Sequence, residues 1–305
     1  MRLSVSKKTW TELAVTVAVI LAYVMLSAWV GKDPRVPTDA TVPDEPTPSQ
    51  NEEAGFVFTR YAARSVPENA ELPRDKYELP LPETQRDADY CSRIAPVTPT
   101  VASDSYFDRA VFIGDSVTEG LEKYVEKKRK TSPDFFGSAQ FLAISGYGVY
   151  EATRPASSPK ALHPTVDGQK IPPADFLASC GADKVYLCLG LNDIGLYTEE
   201  DCLHYYELLI RSIREKNPDI RIVIQSVTPL TLYGEKKLLY NKKIDAYNRK
   251  LVYMAQKNDC AFLDISDMLK DTDGYLAYEL SSDDAFRLET EAYALWVRYL
   301  RCHCV

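Results

Sequence analysis

The sequence predicts a three-layer α/β/α domain over residues 104–305, on three observations. Apolar runs suited to buried strands recur at 110–113, 140–144, 184–189, 220–225 and 261–265. Stretches with helical spacing of their apolar residues lie between them. Turn and cap residues punctuate the alternation. Strands that alternate with helices in this way pair in parallel, and their crossovers place helices on both faces of the sheet. Five such runs give a five-stranded parallel sheet of the flavodoxin-like kind, and about 200 residues is an ordinary size for one core.

Ahead of the domain, residues 1–9 read as a short cytoplasmic N-terminus and residues 10–31 as a transmembrane anchor. Residues 13–30 are almost continuously apolar, bracketed by Trp10 and Trp29. From one tryptophan to the other a helix would rise about 28 Å, close to the hydrocarbon thickness of a bilayer. Tryptophans at both ends match the aromatic belt of membrane helices. Arg2, Lys7 and Lys8 precede the span, whereas Lys32 and Arg35 beyond it are diluted by Asp33, Asp39, Asp44 and Glu45. That bias directs the bulk of the chain to the extracytoplasmic side of a cell membrane that it crosses once. A cleaved signal peptide is the competing reading. Residues 25–31 offer no small-x-small cleavage site, which favours a retained anchor.

Residues 32–103 read as a stalk followed by an irregular arm. Eleven of the nineteen prolines fall there, at 34, 37, 43, 46, 48, 67, 73, 80, 82, 96 and 99, a density that forbids long helices and central strands. The part up to residue 54 is also acidic and polar, the composition of a disordered segment. Phe56, Phe58, Tyr61, Tyr77 and Tyr90 give the later part apolar surface with which to pack along the domain.

Within the domain, Thr198 followed by Glu199, Glu200 and Asp201 resembles a capping box. It opens a helix whose Leu203, Tyr206, Leu209, Ile210 and Ile213 share one buried face, and Asn217 with Pro218 closes it. Further helices are expected at about 235–257 and 291–301. The net charge of -8 argues against a nucleic-acid partner, which would require a basic face. The seven cysteines, at 91, 180, 188, 202, 260, 302 and 304, have no metal-ligand spacing with a histidine cluster. Cys188 lies inside a strand and reads as a small core residue.

In a parallel α/β sheet, ligands bind at the carboxyl ends of the strands. The first apolar run ends in Gly114, Asp115 and Ser116, so a serine hydroxyl starts a helix beside its free N–H groups and positive dipole end. The second ends in Gly146 and Gly148, which let the backbone approach a ligand closely. The third ends in Gly190, Leu191, Asn192 and Asp193. Near the C-terminus come Asp284, Arg287, Leu288, Tyr293 and Trp296.

Taken together, these residues resemble the SGNH/GDSL family of serine ester hydrolases over about residues 105–301. The resemblance implies the SGNH-hydrolase fold, with Ser116 as nucleophile and no metal or organic cofactor. It implies an oxyanion hole formed by the N–H groups of Ser116 and Gly146 (Gly148 is the alternate) and the amide of Asn192. One such donor is worth about 3–4 kcal/mol of barrier. The family's last block reads Asp-x-x-His. Asp284 fills the position of the triad acid, but Arg287 stands where the histidine belongs, and Leu288, Tyr293 and Trp296 keep the register.

A guanidinium has a pKa above about 12 and cannot take the serine proton at neutral pH. A triad that loses one member keeps about 10³- to 10⁴-fold catalysis over water, from the oxyanion hole and binding alone. Arg287 beside Asp284 is most simply an ion pair. Of the three histidines, His163 lies in a loop that could cover the site and is the candidate alternative base. His204 reads as a surface or packing residue, and His303 lies beyond the last helix. Two functions follow. One is a membrane-tethered hydrolase of acyl esters, such as O-acylated glycans or small esters, with weak or rerouted catalysis. The other is an inactive relative that binds an acylated or anionic cell-surface ligand. Acyl transfer is a third outcome that still needs a base.

Overall fold

The structure is a computed structural model that describes residues 93–98 and 100–305. The expected cytoplasmic segment, the membrane anchor and the stalk up to residue 92 lie outside the described residues. Among the described residues no helix is long and apolar enough to cross a membrane.

The strands are β1 (Ala110–Gly114), β2 (Gln140–Ala143), β3 (Thr165–Val166), β4 (Gln169–Lys170), β5 (Lys184–Cys188), β6 (Arg221–Gln225) and β7 (Ala261–Leu263). The helices are α1 (Ser116–Arg129), α2 (Val149–Thr153), α3 (Pro173–Cys180), α4 (Glu199–Lys216), α5 (Asn241–Lys257) and α6 (Thr290–Cys302). All five expected runs form one parallel sheet in the order β2-β1-β5-β6-β7. β3 and β4 form a separate two-residue antiparallel hairpin.

The strand order follows from right-handed crossovers. The chain leaves β1 towards β2, then returns past β1 to reach β5 and continues to β6 and β7. Connections made in opposite directions must lie on opposite faces. Accordingly α1 packs with α6, and α4 packs with α2, α3 and α5. The reversal lies between β1 and β5, which opens a crevice at their carboxyl ends, where α/β sheets bind ligands. Ser116 and Asn192 follow these two strands.

β1 and β5 are buried along their whole length, as central strands covered on both faces must be. Phe112 on β1 stacks on Tyr186 of β5 with ring centroids 4.5 Å apart. Trp296 of α6 is fully buried, and its Nε1 donates to Gln225 Oε1 at 2.8 Å, which satisfies both polar groups inside the core. Leu288 and Tyr293 are also buried. Cys188 is buried, and the six described cysteines are free. The arm runs beside the domain, with Ala95 N–H donating to Phe262 O and Ala102 N–H to Arg301 O.

Two local expectations change in detail. The Thr198 side chain does cap α4, accepting from Asp201 N–H at 3.1 Å. Asp201, however, accepts the Thr198 hydroxyl instead of reaching back to the Thr198 N–H. The helix expected from about 235 begins only at Asn241. Glu235 accepts the Asn241 N–H at 2.8 Å and so caps α5 from outside, while residues 236–239 close a tight turn. Apolar spacing alone does not separate such a turn from the first turn of a helix.

The Trp296–Gln225 pair gives a stability test. Trp296→Phe keeps an aromatic ring but removes the indole N–H and some core volume and strands a buried amide, so a loss of at least about 1–3 kcal/mol is expected in urea denaturation. A loss under about 0.5 kcal/mol would show that Gln225 finds another partner.

Candidate active site

The three loops at the crevice are tied together by side chains of their own motifs. Asp115 accepts the Val117 N–H at 2.9 Å and so caps α1. The amide of Asn192 donates to Asp115 Oδ2 at 3.0 Å and to Tyr147 O at 3.1 Å. One side chain after β5 therefore holds both the residue before Ser116 and the residue after Gly146. Its neighbour Asp193 accepts the N–H groups of Val149 and Tyr150, at 2.8 and 3.1 Å, and caps α2.

The two glycines after β2 separate cleanly. A Cβ on Gly148 would meet the Asp193 carboxylate at 2.4 Å, so Gly148 is small because the acid packs against it. Gly146 is exposed, with φ of +80° and nothing nearer to an added Cβ than Leu162 at 3.6 Å. Its N–H and that of Ser116 have no acceptor among the described residues. Both N–H bonds of the Asn192 amide are in use, and an incoming carbonyl oxygen would have to compete for one of them.

Ser116 opens onto a cavity of about 390 Å³ that Ser145 and Arg287 also line. Lys123, Lys127 and Arg287 line it together with Glu119 and Glu289, leaving one net positive charge in a chain of net charge -8. The Ser116 hydroxyl has no hydrogen-bond partner among the described residues.

The last motif is arranged differently from expectation. Arg287 does not pair with Asp284. Its Nε lies 3.7 Å from Asp283 Oδ2, and Asp283 Oδ1 accepts the N–H groups of Ala285, Phe286 and Arg287. Asp283 thus organises the turn, because an aspartate before a turn can satisfy several of its free donors at once. Asp284 sits at φ of 55° in that turn, exposed, with its carbonyl accepting the Thr231 hydroxyl. Its carboxylate has no hydrogen bond or ion pair among the described residues.

The candidate alternative base is elsewhere as well. His163 is buried, with Nδ1 3.0 Å from the Tyr147 hydroxyl and Nε2 2.8 Å from Arg154 O. A carbonyl only accepts, so Nε2 donates to Arg154, and Nδ1 bonds to the Tyr147 hydroxyl. Neither nitrogen is free, and His163 does not line the Ser116 cavity. His204 is exposed on α4. His303 follows α6, whose thirteen residues extend about 20 Å from Thr290 at the cavity. It stacks on Tyr299 and bonds to its carbonyl. No histidine of the chain lines the cavity of Ser116. Among the described residues no group of three or more His, Cys, Asp or Glu side chains is placed to hold a metal ion.

Sequence reading passed over the acids beside the motif residues. Burial raises Asp115 from 3.8 to about 7 and Asp193 to about 6, and for Asp115 the nearby Asp193 charge adds to the rise. The signal was present in their positions directly before Ser116 and directly after Asn192. Each acid binds its proton more tightly folded than unfolded. The resulting stabilisation is complete below the unfolded pKa near 4 and is lost as pH rises through about 6 to 7. Melting temperature is therefore expected to fall from about pH 5 to about pH 8, and Asp115→Asn to flatten that fall. A profile unchanged by the substitution would contradict the assignment. Gly148→Ala is expected to cost at least about 1–3 kcal/mol by overpacking against Asp193, read by chemical denaturation, and no loss would contradict that packing.

The sequence model of the GDSL-like Lipase/Acylhydrolase family matches residues 112–295, which include Ser116, Asn192, Asp284 and Arg287. No curated protein matches the chain. Among solved structures, a provisionally named platelet activating factor from Streptococcus pneumonia is 22% identical, with a TM-score of 0.49 over 65% of this chain and 84% of that one. A GDSL-like lipase from Bacteroides thetaiotaomicron is 18% identical, with a TM-score of 0.46 over 70% and 93% of the two chains. A carbohydrate esterase family 3 protein from Talaromyces cellulolyticus is 16% identical, with a TM-score of 0.44 over 63% and 94%. With the family match spanning more than half of its length, the chain belongs to the GDSL-like lipase/acylhydrolase family.

Proposed function

We propose that this protein is a membrane-tethered member of its family whose Ser116 cavity holds an acyl-ester or carboxylate ligand without efficient turnover. The observation that carries this reading is that, among the described residues, no side chain hydrogen-bonds to the Ser116 hydroxyl as a general base would. All three histidines lie elsewhere, and Arg287 lines the cavity in the place that the family gives to its histidine. A neutral serine hydroxyl with no base is a poor nucleophile. Glu119 and Glu289 line the cavity but make no hydrogen bond to Ser116.

The binding half of the site supports the other part of the reading. The free N–H groups of Ser116 and Gly146, at a helix N-terminus and a glycine turn, suit the oxygen of an ester carbonyl or of a carboxylate. Asn192 would join them by exchanging one of its present bonds. The Asp284 carboxylate, which would orient a histidine at 287, has no partner among the described residues. Arg287, Lys123 and Lys127 favour a ligand that carries negative charge, such as an acidic glycan, O-acylated or not. The apolar stretch of residues 13–30 supports tethering, with the domain on the extracytoplasmic side.

The test is hydrolysis of a short-chain chromogenic ester by the wild type, Ser116→Ala, Arg287→His and the double variant. Wild type and Ser116→Ala are expected to be indistinguishable. Restoring an imidazole is expected to raise turnover by about 10²-fold or more, with the gain lost in the double variant. Wild-type turnover that disappears in Ser116→Ala would overturn the reading, because Ser116 would then have found a base.

A further inference from the structure

The carboxyl edge of the sheet carries a second feature beside the Ser116 cavity. The loop between β6 and α5 holds Leu232, Tyr233 and Leu238 out to solvent, at 56%, 73% and 60% exposure. Leu196 in the loop after β5 is 75% exposed. These loops are adjacent, since a Cβ on Gly195 would lie 3.8 Å from both the Leu238 carbonyl and Leu239. Large apolar side chains grouped on a surface mark an interaction site.

The loop is held in place, so this exposure does not come from a slack segment. Asn241 exchanges two hydrogen bonds with the backbone of Leu230, both 2.8 Å. Thr231 is bonded to Asp284 and Ala285 of the turn that carries Arg287. Lys236 and Leu239 exchange backbone hydrogen bonds and present Lys237 and Leu238 at the tip of a turn.

Charge narrows the partner. Residues 232–243 contain four lysines and one glutamate, against a chain of net charge -8. Neither Lys236 nor Lys237 forms an ion pair among the described residues. Leucine and tyrosine interleaved with lysine suit a phase that is apolar beneath a negatively charged surface. That is the composition of segments that lie in the interface of an anionic bilayer.

We propose that the 232–240 loop, together with Leu196, seats on an anionic lipid surface and so turns the rim of the Ser116 cavity towards the membrane. This requires neither binding nor turnover at Ser116.

Hydrogen exchange of the full chain reconstituted in vesicles tests it, because the readout is local and does not depend on how the chain is anchored. Vesicles of phosphatidylcholine alone are compared with vesicles that also contain phosphatidylglycerol. Backbone amides of 232–240 are expected to exchange about tenfold more slowly in the anionic vesicles. High salt, or Lys236→Glu with Lys237→Glu, is expected to remove that difference while exchange in β1 and β5 stays unchanged. Equal exchange in the two vesicle types would overturn the proposal. So would protection that survives charge reversal, which would mean that another protein segment covers the loop. Protection by soluble polyglutamate but not by the anionic vesicles would assign the surface to a polyanion instead.

Discussion

The amide of Asn192 is the constraint on which the site rests. Its two donors reach the carboxylate before Ser116 and the carbonyl after Gly146. Loops after β1, β2 and β5 are thereby fixed to one another across the point where the sheet reverses its winding. Asp193 extends the clasp to the first turn of α2. Both acids are buried, so the clasp is also a store of unfavourable desolvation that raises their pKa values. The free N–H groups of Ser116 and Gly146 keep their positions because the atoms around them are committed to this network.

The opposite wall of the cavity is built on a separate device. Asp283 gathers three consecutive N–H groups and pairs with the Arg287 side chain. The turn is therefore stable without a histidine, and Arg287 sits at its rim, exposed, as a fixed positive charge. On the proposed reading, an arginine in place of a histidine removes a base and adds a cation, which suits the cavity to holding negative charge. The N–H groups of Ser116 and Gly146 are backbone donors and do not depend on residue 287.

Much of this was legible in the sequence. The five strands were readable because buried parallel strands are short apolar runs, and the capped start of α4 because Thr198 and Asp201 stand at the right interval. Ser116, Gly146 and Asn192 could be placed because each lies in the loop that leaves the carboxyl end of a strand. Side-chain partners could not be read. Asp283 and Asp284 are neighbours of one type, and only the backbone of the turn decides which one meets Arg287. His163 looked available because its loop precedes the third strand, whereas its nitrogens are both consumed by Tyr147 and Arg154. The exposed 232–240 loop was hidden inside an apolar spacing that suits a helix equally well.

The central claim is that Ser116 is an unactivated hydroxyl in an intact anion-binding cavity. Incubation with a fluorophosphonate, followed by intact mass and peptide mapping, measures that activation directly, because phosphonylation requires a nucleophilic serine. The expected result is no adduct on Ser116 in the wild type under conditions that label an active serine hydrolase to completion. A stoichiometric adduct on Ser116 would contradict the claim and show that the chain activates this serine without a histidine.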